Sequence, residues 1–293
     1  MGKNGKKTQA GKPKKLTPKD VGKRLKAMAK NLEEELKGAD LFAPLPSTED
    51  CAICLVPLSY LHTETCYHAC CGNDICKACA IEHDESIIKQ NEKKSAGKKV
   101  ALTCPFCREL IPTPGPETLR QLQSRCLLND HNALAQMGGI YRDGEDGAPK
   151  DNLKSLDYFI RAVELGSAIA CGHIAYSYEE GIGVAVDKER AALFTKVGAL
   201  RGEIVARNNI GRIEYHTFGN HEVGIRHWKI AAEGGSQISL NRLKEIYNAD
   251  GKMPGKEFIS LDSAYRACHE AQMEVKTEER EKHRTAESSN SKC

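Results

Sequence analysis

The chain has 293 residues, with 43 basic and 40 acidic side chains and a formal net charge of +3. This length allows two domains and a tail. So small a net charge does not by itself indicate a nucleic-acid-binding protein. The longest uncharged apolar stretch, around residues 181–186, is far shorter than the roughly 18 residues that cross a bilayer. We therefore expect neither a membrane protein nor a nucleic-acid partner.

Lysines crowd the first 30 residues, where Asp20 is the sole acidic side chain. A segment of this kind buries too little apolar surface to fold alone. We expect residues 1–48 to be a basic disordered tail and linker, with a short helix that begins at Thr17-Pro18. The apolar face of this helix would carry Val21, Leu25, Met28 and Leu32.

The chain contains 13 cysteines, and no apolar signal-like segment follows Met1. Paired cysteines in a reducing compartment bind metal more often than they form disulfides. We therefore predict a cytoplasmic protein. The Lys-Pro-Lys-Lys run at residues 12–15 would also suit nuclear import.

Seven cysteines form closely spaced pairs, in the order Cys51-x2-Cys54, Cys71-x4-Cys76-x2-Cys79 and Cys104-x2-Cys107. A Cys-x2-Cys knuckle directs two thiolates at one tetrahedral Zn²⁺ and leaves two positions for other ligands. Three such pairs, with further ligands between them, predict two Zn²⁺ ions. Four protein ligands on each ion would make both sites structural rather than hydrolytic.

The order of the pairs resembles the RING finger family, in which pairs one and three bind the first ion and pairs two and four bind the second. The resemblance covers residues 51–108. We place a small, irregular α+β cross-brace domain at residues 49–117. The resemblance implies that the first zinc is held by Cys51, Cys54, Cys76 and Cys79, and that Cys104 and Cys107 supply half of the second site.

The second pair departs from the commonest RING pattern, because Asn73 follows Cys71-Gly72 where a histidine is usual. Cys70, His68 and Cys66 can each supply the missing ligand. A subset of RING-like domains carries adjacent cysteines, which Cys70 and Cys71 resemble. We therefore expect Cys70 to join Cys71 in the second site, with His68 as the runner-up.

RING ubiquitin ligases dock a ubiquitin-conjugating enzyme on the surface around the zinc ions. The positions that match this platform hold Ile53, Pro105 and Arg108, and the resemblance implies that Arg108 contacts both the conjugating enzyme and ubiquitin. His83 stands where a large apolar residue is common, which departs from the family. A helix is expected over about residues 80–89.

A helical pattern repeats after residue 118. Leu134-x2-Met137-Gly138-x2-Tyr141-x2-Gly144 recurs at residues 171–181, and a second motif recurs at steps of 33 to 36 residues. Such periods mark stacked helical hairpins. The spacing resembles Sel-one-like repeats, relatives of the tetratricopeptide class, which implies an all-α solenoid that binds proteins. We place it at residues 118–273, with a degenerate last unit after residue 240 and a disordered charged tail at residues 274–293.

Two side chains in the third unit have structural interpretations. Trp228 lies at a position where a core role is more common than a role as a peptide anchor. His227 and the other histidines of the array have no cysteine pair nearby, so we expect them at the surface or at helix ends.

Two functions fit these features. The leading hypothesis is a RING-type ubiquitin-protein ligase that docks a ubiquitin-conjugating enzyme and ubiquitin on its zinc module and recruits a protein substrate on its repeats. The alternative is a non-enzymatic, zinc-containing adaptor or scaffold. A weaker third option uses the lysine-rich tail to bind nucleic acid.

Overall fold

The computed structural model describes residues 16–93 and 100–250, together with residues 266 and 269. The predicted features at residues 1–15 and 274–293, and the end of the degenerate last unit, lie outside the described residues. The N-terminal part and the cysteine module contain α1 (Pro18–Leu36), a short 3-10 helix (His62–Glu64), β1 (Thr65–His68), β2 (Asn73–Cys76) and α2 (Lys77–Glu92). The array contains α3 (Pro116–Leu127), α4 (His131–Asp143), α5 (Asn152–Glu164), α6 (Ala168–Glu180), α7 (Lys188–Leu200), α8 (Ile204–His216), α9 (His221–Glu233) and α10 (Gln237–Asp250).

The array is a stack of antiparallel helical hairpins, which confirms the all-helical solenoid. Its hairpins are α4–α5, α6–α7 and α8–α9; α3 packs on α4, and α10 packs on α9. Aspartates begin several of these helices, because their carboxylates accept the free amides of the first turn: Asp151 Oδ1 accepts from Lys154 N at 3.0 Å. The hairpins bury one continuous apolar core.

Glycines permit the close approach of paired helices at two positions. A Cβ on Gly138 would lie 2.5 Å from Cε1 of Phe159, and a Cβ on Gly211 would lie 2.7 Å from Nε1 of Trp228. Trp228 is 1% exposed and donates to the carbonyl of Asn208 at 3.2 Å, so its predicted role in the core is confirmed.

Helix α1 packs against α5 and α7. Its apolar stripe joins the core of the array, and Leu25 is 0% exposed. Arg24 pairs with Asp157 and Glu164, and Arg201 donates to Glu35 at 2.8 Å.

The predicted short helix is present and spans Pro18–Leu36, but its packing into the core of the array was not predicted. The apolar face that this segment cannot bury alone is covered by the second helices of two hairpins.

The linker segment, defined here as residues 40–46, lies on α8 and α9. The buried guanidinium of Arg207 donates to the carbonyl oxygen of Leu41. The ring of Phe42 lies between Arg226, whose Cζ is 3.8 Å from the ring centroid, and His227, at 4.9 Å. His227 is only 2% exposed, so the surface position that we expected for it is wrong. The linker segment packs on His227 and buries it, and the sequence around His227 does not reveal this long-range contact.

Among the described helices, none combines the length and the apolarity that crossing a membrane requires.

We predict that Leu25→Ala will lower the free energy of unfolding by about 2–5 kcal/mol, because it leaves a cavity where α1 meets the array. Lys26→Ala, at an exposed position of the same helix, should change it by less than about 0.5 kcal/mol. Urea unfolding followed by circular dichroism measures both. Equal stability of the two variants would contradict the packing of α1.

Candidate metal centre

Two turns of nearly identical backbone carry the first and last cysteine pairs. The amide of Cys51 donates to the carbonyl of Val56 at 2.8 Å, and the amide of Cys104 donates to that of Glu109, also at 2.8 Å. Leu55 and Arg108 occupy the same place in the two turns and have left-handed backbone, with φ of 56° and 60°. This geometry turns both cysteines of a knuckle towards one point, as a shared metal ion requires.

The first cysteine group joins a knuckle to the end of the β-hairpin. It consists of Cys51, Cys54, Cys76 and Cys79, whose sulfur atoms all lie within 4.8 Å of one another. Cys76 ends β2 and is the N-cap of α2, so strand, cap and first helical turn fix the third pair. Cys54 Sγ and Cys76 Sγ are 3.9 Å apart.

The second group consists of Cys70, Cys71, Cys104 and Cys107, with the same limit of 4.8 Å between any two sulfurs. Cys71 Sγ and Cys104 Sγ are 3.7 Å apart. Cys107 is exposed, whereas Cys104 is buried. The structure thus brings together the eight cysteines that the sequence analysis selected, four at each site.

The alternatives for the eighth ligand lie outside both groups. His68 and Cys66 are on β1, and the buried Nε2 of His68 has no hydrogen-bond partner among the described residues. Asn73 does not replace a ligand; its side-chain amide donates to Cys71 Sγ at 3.3 Å. Sequence reasoning missed this supporting role, which an asparagine two residues after a cysteine does not reveal.

The spacing of the sulfur atoms fits a metal ion. Around a tetrahedral zinc with bonds of about 2.3 Å, neighbouring sulfurs lie roughly 3.8 Å apart. The two sulfur distances above lie on either side of this value. Backbone amides also point at the sulfurs, since Cys76 N lies 3.3 Å from Cys51 Sγ and Cys79 N lies 3.5 Å from Cys76 Sγ. Both four-cysteine groups can therefore hold a metal ion.

The crowded thiols of the first group share protons unequally. The pKa of Cys51 is far below its ordinary value, because Cys76 and Cys79 donate hydrogen bonds to its sulfur. The pKa of Cys79 is correspondingly raised, chiefly by its hydrogen bonds to Cys51 and Cys76. Four such sulfurs need a cation before all of them can become thiolates.

The two groups alternate along the chain. The first and third pairs form one group, and the second and fourth pairs form the other. The second pair lies in the turn of the antiparallel β1–β2 hairpin, in which Cys66 is opposite Ile75, and strand β2 connects it to the third pair. This interleaving holds the module together through two centres rather than one.

The three predicted platform residues lie in the knuckles and outside both cysteine groups. Ile53 is 43% exposed, Arg108 is exposed, and Pro105 is half-buried. Leu55, beside Ile53, is 72% exposed. These apolar side chains form a surface that a partner can contact. His83 is half-buried on α2, with Nδ1 3.4 Å from Oδ1 of Asp84.

The cysteine module is fixed to the start of the array through Asp130. Oδ2 of Asp130 accepts from Tyr67 Oη at 2.7 Å and from Arg125 Nη2 at 2.9 Å. A second hydrogen bond, of 2.7 Å, joins Asn132 on α4 to Asp74 on β2. The guanidinium of Arg125 also lies against Gly72, next to a cysteine of the second group.

Comparison with protein-family models matches the Sel1 repeat to residues 131–167 and 168–202, which are the hairpins α4–α5 and α6–α7 with the turns that follow them. The match does not extend to the cysteine module. No curated protein matches the chain.

Similar solved structures cover the helical part. A Sel1 repeat protein from Oxalobacter formigenes is 27% identical, with a TM-score of 0.44, over 53% of this chain and 63% of its own. The protective antigen c5321 of uropathogenic Escherichia coli is 26% identical, with a TM-score of 0.43, over 52% of this chain and 33% of its own. The chain thus spans less than two thirds of either protein. Residues 131–202 thus match two Sel1 repeats, and they lie within a longer helical array that follows a module with two groups of four cysteines.

Proposed function

We propose that the protein is a scaffold that binds a protein partner on its helical array, and that two zinc ions stabilise the adjoining cysteine module. The presence of two Sel1 repeats carries this proposal, because stacked hairpins of this class form extended surfaces for protein binding. The hydrogen bonds of Asp130 support it further, since they hold the module against the start of the array.

The first helices of the hairpins offer the best surface for this partner. Tyr176 on α6 and Val205 on α8 are 47% and 50% exposed, although both are large and apolar. Exposed apolar side chains on neighbouring helices are typical of a protein-binding site.

We expect Tyr176→Asp and Val205→Asp to reduce recovery of the partner by about tenfold or more, because each places a charge in an apolar contact. Affinity purification of the full chain, followed by quantitative mass spectrometry, measures the recovery. Val186→Asp is the matched control, since Val186 is 59% exposed but lies in the turn before α7. Equal loss in all three variants would argue against a specific surface on the first helices.

Zinc is the ion that we assign to both cysteine groups. Four thiolates with tetrahedral spacing favour zinc over magnesium or calcium, which bind oxygen ligands. Each ion would contribute on the order of 10 kcal/mol to the folding of so small a module. Because thiols stay reduced there, we place the protein in the cytoplasm or nucleus.

We predict that the purified full chain contains two zinc ions and that Cys70→Ser loses one of them, since serine is a poor replacement for a thiolate ligand. Cys66→Ser and His68→Ala should keep both, because these residues lie outside the two cysteine groups. Metal content by mass spectrometry gives the ratio. Retention of both ions in Cys70→Ser, together with loss in His68→Ala, would assign the eighth ligand to the histidine.

A second candidate function is that of a ubiquitin ligase. The alternation of the cysteine pairs and the exposure of Ile53 and Arg108 favour it, since the resemblance assigns these residues to the conjugating-enzyme platform. In that case the array would recruit the protein to be modified.

The ligase candidate predicts that Ile53→Ala or Arg108→Ala abolishes self-ubiquitination, while zinc content and circular dichroism stay unchanged. Ile88→Ala, at a position on α2 that is 51% exposed, serves as the control and should keep activity. A reconstituted assay with a panel of conjugating enzymes provides the measurement. If the folded, zinc-loaded wild-type chain is inactive with every conjugating enzyme, the ligase candidate is rejected and the scaffold function remains.

A further inference from the structure

A cavity of about 260 Å³ lies between the first helices of the second and third hairpins. Gly172, Tyr176 and Glu179 of α6 form one wall, and Glu203 and Val205 at the start of α8 form another. His62, from the 3-10 helix of the cysteine module, lines it as well. Both parts of the molecule therefore contribute to one binding site.

The cavity contains a buried acidic group. Glu203 is only 7% exposed, and its Oε1 accepts from the amide of Val205 at 2.9 Å. No hydrogen bond to Oε2 and no ion pair of this carboxylate are found within the described residues. Burial raises the pKa of Glu203, because it disfavours the carboxylate, although the amide of Val205 and the nearby His62 oppose this shift. Glu179 adds a second, exposed carboxylate to the same cavity.

The basic groups nearby offset these carboxylates only in part. Burial lowers the pKa of His173 to about 4, so this cavity-lining side chain is neutral at pH 7. Arg142 Nη1 lies 3.0 Å from His173 Nδ1, but the same guanidinium pairs with Asp143 at 2.7 Å. His62 is the other basic side chain among those that line the cavity. The cavity is therefore complementary to a positive charge.

The cavity has open space beside α6 at Gly172. A Cβ built on Gly172 would meet no atom within 4 Å, so the helix surface is open at this point. Tyr176 and Val205 provide apolar contacts beside the carboxylates. A lysine or arginine side chain combines the two properties that are needed, an apolar stem and a charged end.

We propose that this cavity binds the lysine or arginine side chain of a protein partner, with Glu203 and Glu179 facing the charge and Tyr176 and Val205 against the stem. The inference rests on the proposed scaffold function and names the chemistry of the partner. Lysine and arginine share this chemistry, so each is tested separately.

The test uses N-acetyl-lysinamide and N-acetyl-argininamide as probes, titrated into the zinc-loaded full chain and followed by NMR. We expect saturable shifts of amide resonances in α6 and α8 with at least one of them. N-acetyl-norleucinamide keeps the apolar stem without the charge and should bind about tenfold or more weakly. Equal binding of the uncharged probe, or no saturable binding of either cation, would overturn the proposal.

Two variants locate the site. Gly172→Leu fills the cavity, and Glu203→Gln removes the charge but keeps an oxygen for the amide of Val205; each should weaken binding of the cation about tenfold or more. Gly139→Leu is the matched control, because a Cβ on Gly139 of α4 also meets nothing within 4 Å and this residue does not line the cavity. Replacing a helical glycine should not destabilise the array in either case.

Unchanged binding in Gly172→Leu would place the probe elsewhere and overturn the proposal. Affinity purification of the partner with Gly172→Leu tests whether the partner uses this cavity, separately from whether the protein is a scaffold. If recovery persists while probe binding is lost, the partner does not use this cavity, and the scaffold function still stands. If recovery and probe binding are both lost, with Gly139→Leu normal, the partner presents the cation.

Discussion

The carboxylate of Asp130 joins three parts of the molecule. It caps α4 through the amides of Asn132 and Ala133, pairs with Arg125 of α3 and accepts the hydroxyl of Tyr67 from the cysteine module. Burial alone would raise its pKa, but the bonds from Tyr67, Ala133 and Arg125 together lower it, so the group stays ionised. This charge, together with the hydrogen bond between Asn132 and Asp74, therefore holds the module on the first repeat.

The N-terminal part of the chain also packs on the array. Helix α1 covers α5 and α7, and the linker segment continues over α8 and α9 before the chain enters the first knuckle. The buried guanidinium of Arg207 is tolerated because the carbonyl of Leu41 accepts from it, although its Nε has no partner within the described residues. Three successive hairpins are thus held from outside as well as by one another, which stiffens a repeat array that otherwise depends on nearest-neighbour contacts.

The cysteine module and the helical repeats contribute different features to the molecule. The cysteine groups lie in a module with a small core of its own around Ile75, the module positions His62 at the wall of the cavity, and the repeats supply the carboxylates of that cavity. Exposed side chains of the knuckles, such as Ile53 and Leu55, remain outside this chain of contacts. Among the described residues, exposed apolar side chains therefore occur both on the knuckles and on the first helices of the hairpins.

The sequence by itself determined the local features. The helical period and the knuckle spacing of the cysteines follow from residue type and local order, because they depend on neighbours within a few residues. The choice of Cys70 as the companion of Cys71 rests on the resemblance to RING-like domains with adjacent cysteines, and the structure places the two sulfurs in one group. Only the tertiary structure decided that α1 belongs to the core, that His227 is buried under Phe42 and that Asp130 links module to array. These contacts join residues more than 60 positions apart, as Tyr67 and Asp130 show. A surface stripe, a histidine or a capping aspartate has the same local signature whether or not a distant segment covers it, so the sequence pattern does not distinguish the two outcomes.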